Sequence, residues 1–408
     1  MALKVQKFGG TSVADIERIK NVADRVINTH NQGDQVVVVL SAMAGVTDSL
    51  IALAHEAAET PAARELDVLL STGEQTTAAL LAMMLNHRGY KAKSLLGFQA
   101  GILTDKTSGK ARIRDIDGGR IQELLMHGYI VVVAGFQGRD TVGDITTLGR
   151  GGSDTSAVAI ASAIKADVCE IYTDVDGVYT TDPRICNKAK KIKKISYEEM
   201  LEMAILGAKV LQIRSVEFAK KYNVPVHVRS SFSQEEGPMV VNESADMESV
   251  VVSGITCDKN EARITLRKVP DQPGISARVF GLLAEAEIMV DMIIQNTRSD
   301  GETDLTFTVT KDDFKKAVEL SEKAGKEVNA KEIVTADHIA KVSVIGLGMK
   351  SNSGVAATMF EALAKENINI RLISTSEIRI SCVIEERYAE LAVRVLHTAF
   401  GLDQTIDE

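Results

Sequence analysis

The segment Lys7-Phe8-Gly9-Gly10-Thr11-Ser12 joins an apolar run to a helical pattern. Glycines let the backbone approach a phosphate closely, and the start of a helix offers unpaired N–H groups with a partial positive charge. Lys7 adds a full charge at the same place. We therefore expect a phosphate cradle here. The segment lacks the P-loop spacing, and a plain strand-to-helix turn with an exposed lysine is the alternative.

A second glycine-rich segment runs from Leu148 to Ser156 with the sequence LGRGGSDTS. A guanidinium can bind a carboxylate through two parallel hydrogen bonds, so Arg150 is a candidate for binding an acidic substrate. Ser153 and Asp154 are expected at the cap positions of the next helix, and capping alone is the alternative role for both. A cap does not require Arg-Gly-Gly before it, which favours a functional loop.

A third polar segment runs from Thr173 to Arg184 with the sequence TDVDGVYTTDPR. Its turn formers and oxygen acceptors suit either a structured loop or a site for ribose, purine and phosphate. The segment resembles the start of a calcium loop, but the later acidic ligands are absent, so we reject a calcium site. Lys209, taken alone, is interpreted as a solvated lysine.

The elements that position these segments alternate between strands and helices. Apolar, β-branched runs at Val36–Leu40, Ile130–Val133 and Val168–Thr173 predict buried strands. Helical patterns from Glu65 to Asn86 and from Asp154 to Ala166 lie between them. This order predicts an α/β domain with a mostly parallel sheet, in which ligands bind at the carboxyl ends of the strands.

The C-terminal part of the chain contains an internal repeat, and the polar stretch around residues 230–249 predicts a domain boundary before it. Gly274 and Gly354 lie 80 positions apart. At the same offset, the matching pairs are Ala277 and Ala357, Phe280 and Phe360, Leu283 and Leu363, Ala284 and Ala364, and Ile288 and Ile368. Duplication of a small α+β unit explains these identities better than chance matching of apolar residues.

Composition narrows the functional classes. The net charge is -9, with 45% hydrophobic and 25% charged residues. This balance is typical of globular proteins, and the acidic charge argues against nucleic-acid or anionic-membrane partners. We expect no signal peptide, no membrane-spanning run and a cytoplasmic location. The four cysteines form no CxxC pair, so we expect neither zinc nor a disulfide framework.

Taken together, the motifs resemble the aspartokinase family. The resemblance rests on Lys7–Ser12, Ser41-Ala42-Met43 with Thr47-Asp48, Thr72-Gly73-Glu74, Thr147–Ser156, Thr173–Arg184 and Lys209, in that order, and on the C-terminal duplication. It implies a three-layer α/β/α amino acid kinase domain with a mostly parallel sheet in residues 1–240. Two ferredoxin-like α+β ACT domains are implied at residues 250–335 and 340–408.

The resemblance implies transfer of the γ-phosphoryl group of ATP, with Mg²⁺, to the side-chain carboxylate of L-aspartate. This is the first step of lysine, threonine and methionine biosynthesis. Catalytic roles are implied for Lys7 and Asp154. Substrate binding is implied for Ser41, Thr47, Glu74, Arg150 and Ser153, with Glu74 taking the ammonium. ATP binding is implied for Lys7, Gly9, Gly10, Thr173, Asp174, Tyr179, Asp182, Arg184 and Lys209. No metal ligand of the protein is implied.

Regulation is also implied by the resemblance. An effector site for lysine, threonine or both is implied at Asp271, Gly274, Ile275, Gln295, Asn352, Val355, Asn367 and Ile368. ACT domains usually pair across subunits, which implies a homo-oligomer. Met247 is a possible start of a separate regulatory chain.

The sequence differs from the family pattern at one place, and three alternative functions are considered. The family commonly has His-Pro where this chain has Gln212-Ile213, which could shift the helix beside the nucleotide site. The rivals are a kinase of glutamate or acetylglutamate, a dehydrogenase, and an amino-acid sensor without kinase activity. The dehydrogenase rests on Gly346-Leu347-Gly348, whose third glycine falls at position 354 rather than 351.

Overall fold

The computed structural model describes residues 1–206, 210–244, 250–297 and 301–404. The chain forms two compact units. The first comprises Met1–Tyr179 with Lys191–Glu248, and the second comprises Thr180–Lys190 with Ser249–Glu408.

The first unit is built on an eight-stranded sheet and a smaller four-stranded sheet. Its strands are β1 (Leu3–Phe8), β2 (Gln35–Leu40), β3 (Ala92–Leu95), β4 (Ile102–Thr104), β5 (Ile113–Ile116), β6 (Ile130–Ala134), β7 (Gln137–Arg139), β8 (Ile145–Thr147), β9 (Val168–Thr173), β10 (Lys194–Ser196), β11 (Val226–Ser230) and β12 (Glu236–Val241). The large sheet has the order β10-β12-β11-β9-β1-β2-β6-β3, and only the β11–β12 pair is antiparallel. The small sheet has the order β5-β4-β7-β8.

Helices cover both faces of the large sheet, as the buried β-branched runs of β2 and β6 require. They are α1 (Ile16–Asn31), α2 (Val46–Ala57), α3 (Ala63–His87), α4 (Gly119–Met126), α5 (Gly152–Ile164), α6 (Tyr197–Ile205) and α7 (Ile213–Tyr222), with a 3-10 turn at Gly10–Val13. Apolar residues of α1 and α3 form one core with Phe8 of β1 and alternate residues of β2 and β6. Helix α5 contacts β1, β2 and β9. The first unit therefore has the expected three-layer architecture.

Helix α3 is the one helix in the described ranges that is long and apolar enough to cross a membrane, judged by length and composition. The expectation that no run reaches this length is therefore wrong for α3. Half of the apolar stretch is buried within the protein, and α3 carries two buried carboxylates, Asp67 and Glu74. These features are typical of a core helix of a folded domain.

The second unit is built on one antiparallel six-stranded sheet with the order β14-β15-β13-β16-β18-β17. Its strands are β13 (Gly254–Pro270), β14 (Val290–Thr297), β15 (Glu302–Thr310), β16 (Glu332–Ile345), β17 (Leu372–Thr375) and β18 (Arg379–Glu385). Its helices are α8 (Ile275–Glu285), α9 (Phe314–Glu327), α10 (Val355–Lys365) and α11 (Ala389–Ala399), with 3-10 turns at Leu347–Ser351 and Glu386–Tyr388.

Each copy of the repeat in the second unit has a hydrophobic core of its own. Helices α8 and α9 share a core with β13 and β15, and α10 and α11 share a core with β16 and β18. Gly274 and Gly354 lie directly before α8 and α10. The two segments aligned at the 80-residue offset are therefore the same element of each half.

Candidate active site

The carboxyl ends of the central strands bring three polar loops together in the first unit. Backbone bonds join neighbouring loops: Gly9 N–H donates to Tyr172 O at 3.3 Å, and Ser41 N–H donates to Phe8 O at 3.1 Å. These bonds continue the parallel pairing of β1 with β9 and β2 beyond the strands. The residues that follow the strands therefore lie at one edge of the sheet, where parallel α/β sheets bind ligands.

Lys7 and Asp154 form a buried ion pair at this edge. Lys7 is the penultimate residue of β1, and its Nζ lies 2.5 Å from Asp154 Oδ1. The side chains are each 10% exposed, so the surrounding protein screens their attraction less than water would. Asp154 Oδ1 is not aligned as a hydrogen-bond acceptor. The pair is thus an electrostatic contact that places the ammonium of Lys7 near the carboxyl end of β1 and the N-terminus of α5.

The expected capping role of Ser153 and Asp154 is wrong. Helix α5 begins at Gly152 and its N-cap is Gly151, whose φ of 72° lies in the left-handed region. No side chain caps the helix. Asp154 is the third helical residue instead, where its negative charge favours the helix N-terminus while its side chain faces Lys7.

Glu74 is a buried acceptor with one unused oxygen. Its Oε1 accepts the Ala42 N–H at 3.0 Å, while Oε2 is buried and has no hydrogen-bond partner in the described part of the chain. Burial raises the pKa of Glu74 to about 7. Gly73 lets Ala42 approach, because a Cβ on Gly73 would lie 2.8 Å from Ala42 Cβ. An unpaired buried carboxylate suits a cationic ligand group, such as an ammonium.

The candidate hydroxyl ligands surround the ends of β2 and β6. Ser41 follows β2 and is half-buried, and Thr47 lies in the first turn of α2. Ser153 is buried against Gly135, where a Cβ would lie 3.0 Å from Ser153 Oγ. Gly135 N–H in turn donates to Leu40 O at 3.0 Å. Ser41 and Ser153 are thus connected through the backbones of β2 and β6.

Arg150 lies at the exposed tip of the loop between β8 and α5. Its guanidinium forms no hydrogen bond or ion pair with any described residue. Gly149 and Gly151 on either side have φ values of 76° and 72°. Glycine adopts this left-handed conformation without steric cost, so the backbone can turn sharply on both sides of the arginine. Arg150 is therefore free to bind a carboxylate.

The candidate nucleotide residues divide between the two units. Thr173, Asp174 and Tyr179 lie in the first unit after β9, and Asp182 and Arg184 belong to the second. Thr173 Oγ1 donates to Asp174 at 3.2 Å, and Tyr179 OH donates to Asp176 at 2.7 Å. Arg184 pairs with Asp182 at 2.7 Å. Lys209 lies outside the described residues.

The candidate effector residues all lie in the second unit, four in each half of the repeat. Gln295 in β14 accepts a hydrogen bond from Ser276 Oγ at 3.2 Å, and Asn352 Nδ2 donates to Gly348 O at 2.9 Å. The remaining positions flank α8 and α10: Asp271, Gly274 and Ile275 near the start of α8, Val355 at the start of α10, and Asn367 and Ile368 after its end.

Sequence reasoning missed several polar residues that support the site. Asp67 lies on α3 seven residues before Glu74, a spacing that places both on one helix face and was available in the sequence. Arg214 contacts the glycine loop from α7. Lys191 lies 3.5 Å from Asp176 and 2.7 Å from Glu235 beside Tyr179. The last two were not detectable, because their partners are distant in sequence.

Comparisons with known proteins agree with this geometry. Residues 2–230 match the amino acid kinase family, and residues 267–324 and 342–400 match the ACT domain. The aspartate kinase of Pseudomonas putida is 56% identical over 404 residues, which are 99% of this chain and 98% of that protein. The chain belongs to the aspartokinase family.

Two solved structures of Escherichia coli aspartokinase III are also similar to this chain. One contains aspartate and ADP, with a TM-score of 0.78 and 29% identity over 97% of this chain and 99% of that one. The other contains lysine and aspartate, with a TM-score of 0.79 and 30% identity over 98% and 99%. Aspartokinases are ATP-dependent kinases, so the chain is an enzyme of the aspartate kinase class.

The dehydrogenase alternative fails on structure as well. Gly346 precedes, and Gly348 lies within, a 3-10 turn (Leu347–Ser351) that follows β16 of the antiparallel sheet. A dinucleotide fingerprint requires a parallel strand, a tight turn and a helix whose N-terminus faces the pyrophosphate. The turn lies within residues 342–400, which match the ACT domain instead.

Proposed function

We propose that this aspartokinase transfers the γ-phosphoryl group of ATP to the side-chain carboxylate of L-aspartate, giving 4-phospho-L-aspartate and ADP. The observation that carries the proposal is the arrangement in the first unit. It consists of the buried Lys7–Asp154 pair between β1 and α5, the unused oxygen of Glu74 on α3 beside the loop after β2, and the unpaired Arg150 in the loop before α5.

The chemistry requires positive charge rather than a general base. A carboxylate is already ionised at neutral pH, so the enzyme must bring one anion up to another and stabilise the transferring group. Lys7 supplies a cation, and the ion pair holds its ammonium nitrogen 2.5 Å from Oδ1 of Asp154. The N–H group of Gly10 and the N-terminus of α5 are the proposed backbone donors for the phosphates, whereas the Gly9 N–H is bonded to Tyr172 O.

Magnesium fits this site as part of the substrate, Mg-ATP. The described residues contain no group of three or more His, Cys, Asp or Glu side chains that could hold a metal ion. Mg²⁺ is usually bound by one or two carboxylates together with substrate phosphates and water, which needs no protein cage. Asp154, the carboxylate paired with Lys7, would be the residue available to the ion. The ion would neutralise charge on the phosphates.

Aspartate is recognised by groups of both signs. Glu74 takes the ammonium, and Arg150 takes a carboxylate. The hydroxyls of Ser41, Thr47 and Ser153 complete the hydrogen bonds. Glutamate is longer by one methylene, which would displace its reactive carboxylate from Lys7 if the ammonium and the other carboxylate stay bound.

The nucleotide is bound by the segment that follows β9. Thr173, Asp174 and Tyr179 supply polar contacts to the ribose and base, and Asp182, Arg184 and Lys209 complete the proposed set. Lys191 also belongs here, because it neutralises Asp176 next to Tyr179.

Residues 1–240 are proposed as the catalytic domain, and residues 250–335 and 340–408 as ACT regulatory domains of a cytoplasmic homo-oligomer. Lysine, threonine or both would inhibit through the positions around α8 and α10. The lysine complex of the E. coli relative supports an amino-acid effector.

The test is a comparison of acceptors with purified protein and Mg-ATP. ADP production is measured with L-aspartate, L-glutamate and N-acetyl-L-glutamate, each with and without lysine and threonine. The proposal expects turnover with aspartate only, reduced by at least one effector. Turnover with glutamate alone would support the rival kinase, and amino-acid binding without turnover would support the sensor.

A further inference from the structure

The loop that carries Arg150 is rich in glycine and has little conformational restriction of its own. The Arg150 loop, Leu148–Gly152, contains three glycines among its five residues, and two of them have left-handed backbones. Glycine has the largest conformational freedom of any residue, so such a loop needs support from neighbouring elements. The guanidinium itself gives none, since it has no partner among the described residues.

Asp67 holds the base of this loop from one side. The carboxylate is 1% exposed and lies on α3. It accepts the hydroxyl of Thr147 at 2.6 Å and the Gly109 N–H at 3.0 and 3.1 Å to its two oxygens. No lysine or arginine pairs with it in the described ranges. The stabilisation of this buried carboxylate therefore depends on the donors of Thr147, at the base of the loop, and of Gly109, in a separate segment.

Arg214 bonds the same two parts of the chain, the residues before Arg150 and the segment that contains Gly109 and Ala111. It is the second residue of α7, and its guanidinium donates to Leu148 O at 2.5 Å and to Ala111 O at 3.0 Å. No carboxylate pairs with it within the described residues. Because a guanidinium is planar with a fixed fork of donors, both carbonyls are held in one geometry.

The segment around Ala111 and the segment around Thr147 are also bonded directly to each other. Ala111 N–H donates to Thr147 O at 2.9 Å. Gln212 packs on the loop above this bond, where a Cβ on Gly151 would lie only 2.1 Å from Gln212 Cγ. The backbone before and after Arg150 is thus fixed by contacts from α3 and α7.

We propose that Asp67 and Arg214 are positioning residues, which fix the Arg150 loop so that Arg150 binds the carboxylate of the acceptor amino acid. Neither side chain touches substrate. The inference rests on the proposed role of Arg150. It also gives a function to the start of α7, where the chain departs from the family at Gln212-Ile213.

A double-mutant cycle tests this role. Steady-state constants for aspartate and Mg-ATP are measured for the wild type, Arg150→Ala, Arg214→Gln and the double variant, with thermal melting as a check of folding. Arg214→Gln should raise KM for aspartate about ten- to hundredfold, because small displacements of a substrate-positioning group have effects of this size. KM for ATP should change less than KM for aspartate. In the Arg150→Ala background, Arg214→Gln should have no further effect.

A milder variant keeps the test valid if Arg214→Gln does not fold. Thr147→Val removes the hydroxyl bonded to Asp67 and keeps the side-chain shape, and it should also raise KM for aspartate. Thr147→Ser, which retains the hydroxyl, should recover most of the loss. Arg88→Gln, which removes a surface ion pair to Asp24, is the control for loss of an arginine.

The experiment distinguishes failure of the positioning role from failure of the role of Arg150 and from failure of the proposed function. Factors that multiply in the double variant, or equal increases in KM for ATP and aspartate, would overturn the positioning role alone. An Arg150→Ala enzyme with unchanged KM for aspartate would remove Arg150 from substrate binding and this inference with it. A wild-type protein with no aspartate-dependent turnover would instead contradict the proposed function itself.

Discussion

Asp67 and Glu74 lie seven residues apart on one buried face of α3. Asp67 contacts the base of the Arg150 loop, and Glu74 contacts the loop after β2. A seven-residue spacing corresponds to nearly two turns, or about 10 Å along the axis. One rigid helix therefore supports the two loops proposed to bind the two ends of the acceptor, which fixes their separation.

Glu74 should make aspartate binding depend on pH. Burial raises its pKa to about 7, and only the ionised form attracts an ammonium. As the pH falls from 8 to 6, Glu74 becomes protonated and kcat/KM for aspartate should fall, by about tenfold for each unit below the pKa. The pH profile of kcat/KM checks this. Glu74→Asn or Glu74→Gln should lower the value and remove the inflection near 7; an inflection that persists in both variants belongs to another group.

Glu74 should also lower stability at high pH. Its pKa is higher in the folded protein than in the unfolded chain, so its favourable contribution is present at low pH and is lost as the pH rises through about 7. Glu74→Gln should therefore raise the Tm at pH 8 and have a smaller effect at pH 6. Thermal melting without ligand measures this. Equal shifts at both values would mean that Glu74 is not titrating in this range.

Lys7 should be required for turnover. Lys7→Met keeps the length of the side chain and removes the charge, so kcat should fall by about 10²- to 10³-fold, as expected for loss of a group that stabilises developing charge. Lys4→Met, on the same strand, removes an ion pair with Asp34 and serves as the control. Steady-state kinetics should separate the two. Similar losses in both variants would indicate damage to β1 rather than loss of phosphoryl stabilisation.

Gly151 should tolerate alanine only if Gln212 is shortened. Its φ is 72°, and a Cβ would lie 2.1 Å from Gln212 Cγ. Gly33→Ala is the control for backbone strain alone, because Gly33 has a φ of 91° with open space around it and should cost about 1 kcal/mol. Gly151→Ala should cost more than this in free energy of unfolding.

A second substitution separates strain from the clash. Gln212→Ala should recover the part of the Gly151→Ala loss that exceeds the Gly33→Ala value, because it removes the colliding atoms. Denaturant unfolding of the single and double variants measures the recovery. If the double variant is no more stable than Gly151→Ala, contact with Gln212 does not limit the loop.

Gln295 should affect regulation. It accepts a hydrogen bond from Ser276 at the start of α8, and Gln295→Leu removes that acceptor together with the proposed effector contact. The effector concentration for half-maximal inhibition should rise about tenfold, the factor that corresponds to one lost polar contact of about 1.4 kcal/mol. Inhibition curves with lysine and threonine measure the change, with Lys323→Ala on the exposed face of α9 as the control. An unchanged curve would exclude Gln295 from the effector site.

Local sequence patterns predicted the parts of the site that follow strands. Lys7 lies near the end of β1, Ser41 follows the β-branched strand β2, and Thr173 ends β9; parallel pairing alone brings such residues to one edge. The capping expectation for Asp154 failed because Gly151, with its left-handed backbone, takes the N-cap and moves the start of the helix.

Contacts across large sequence separations could not be predicted. Asp67 and Thr147 are 80 residues apart, and Arg214 and Leu148 are 66 apart. No periodicity records such pairs. The raised pKa of Glu74 likewise depends on burial, which follows from the packing of α3 rather than from the residues beside it.

The most direct test of the central claim is detection of the acyl phosphate. Purified protein is incubated with Mg-ATP, L-aspartate and hydroxylamine, which converts an acyl phosphate to a stable hydroxamate, and the product is identified by mass spectrometry with Lys7→Met protein alongside. The account predicts the 4-hydroxamate of aspartate in amounts equal to the ADP formed, and almost none from Lys7→Met. ADP formation without hydroxamate, or the same hydroxamate yield from Lys7→Met, would contradict it.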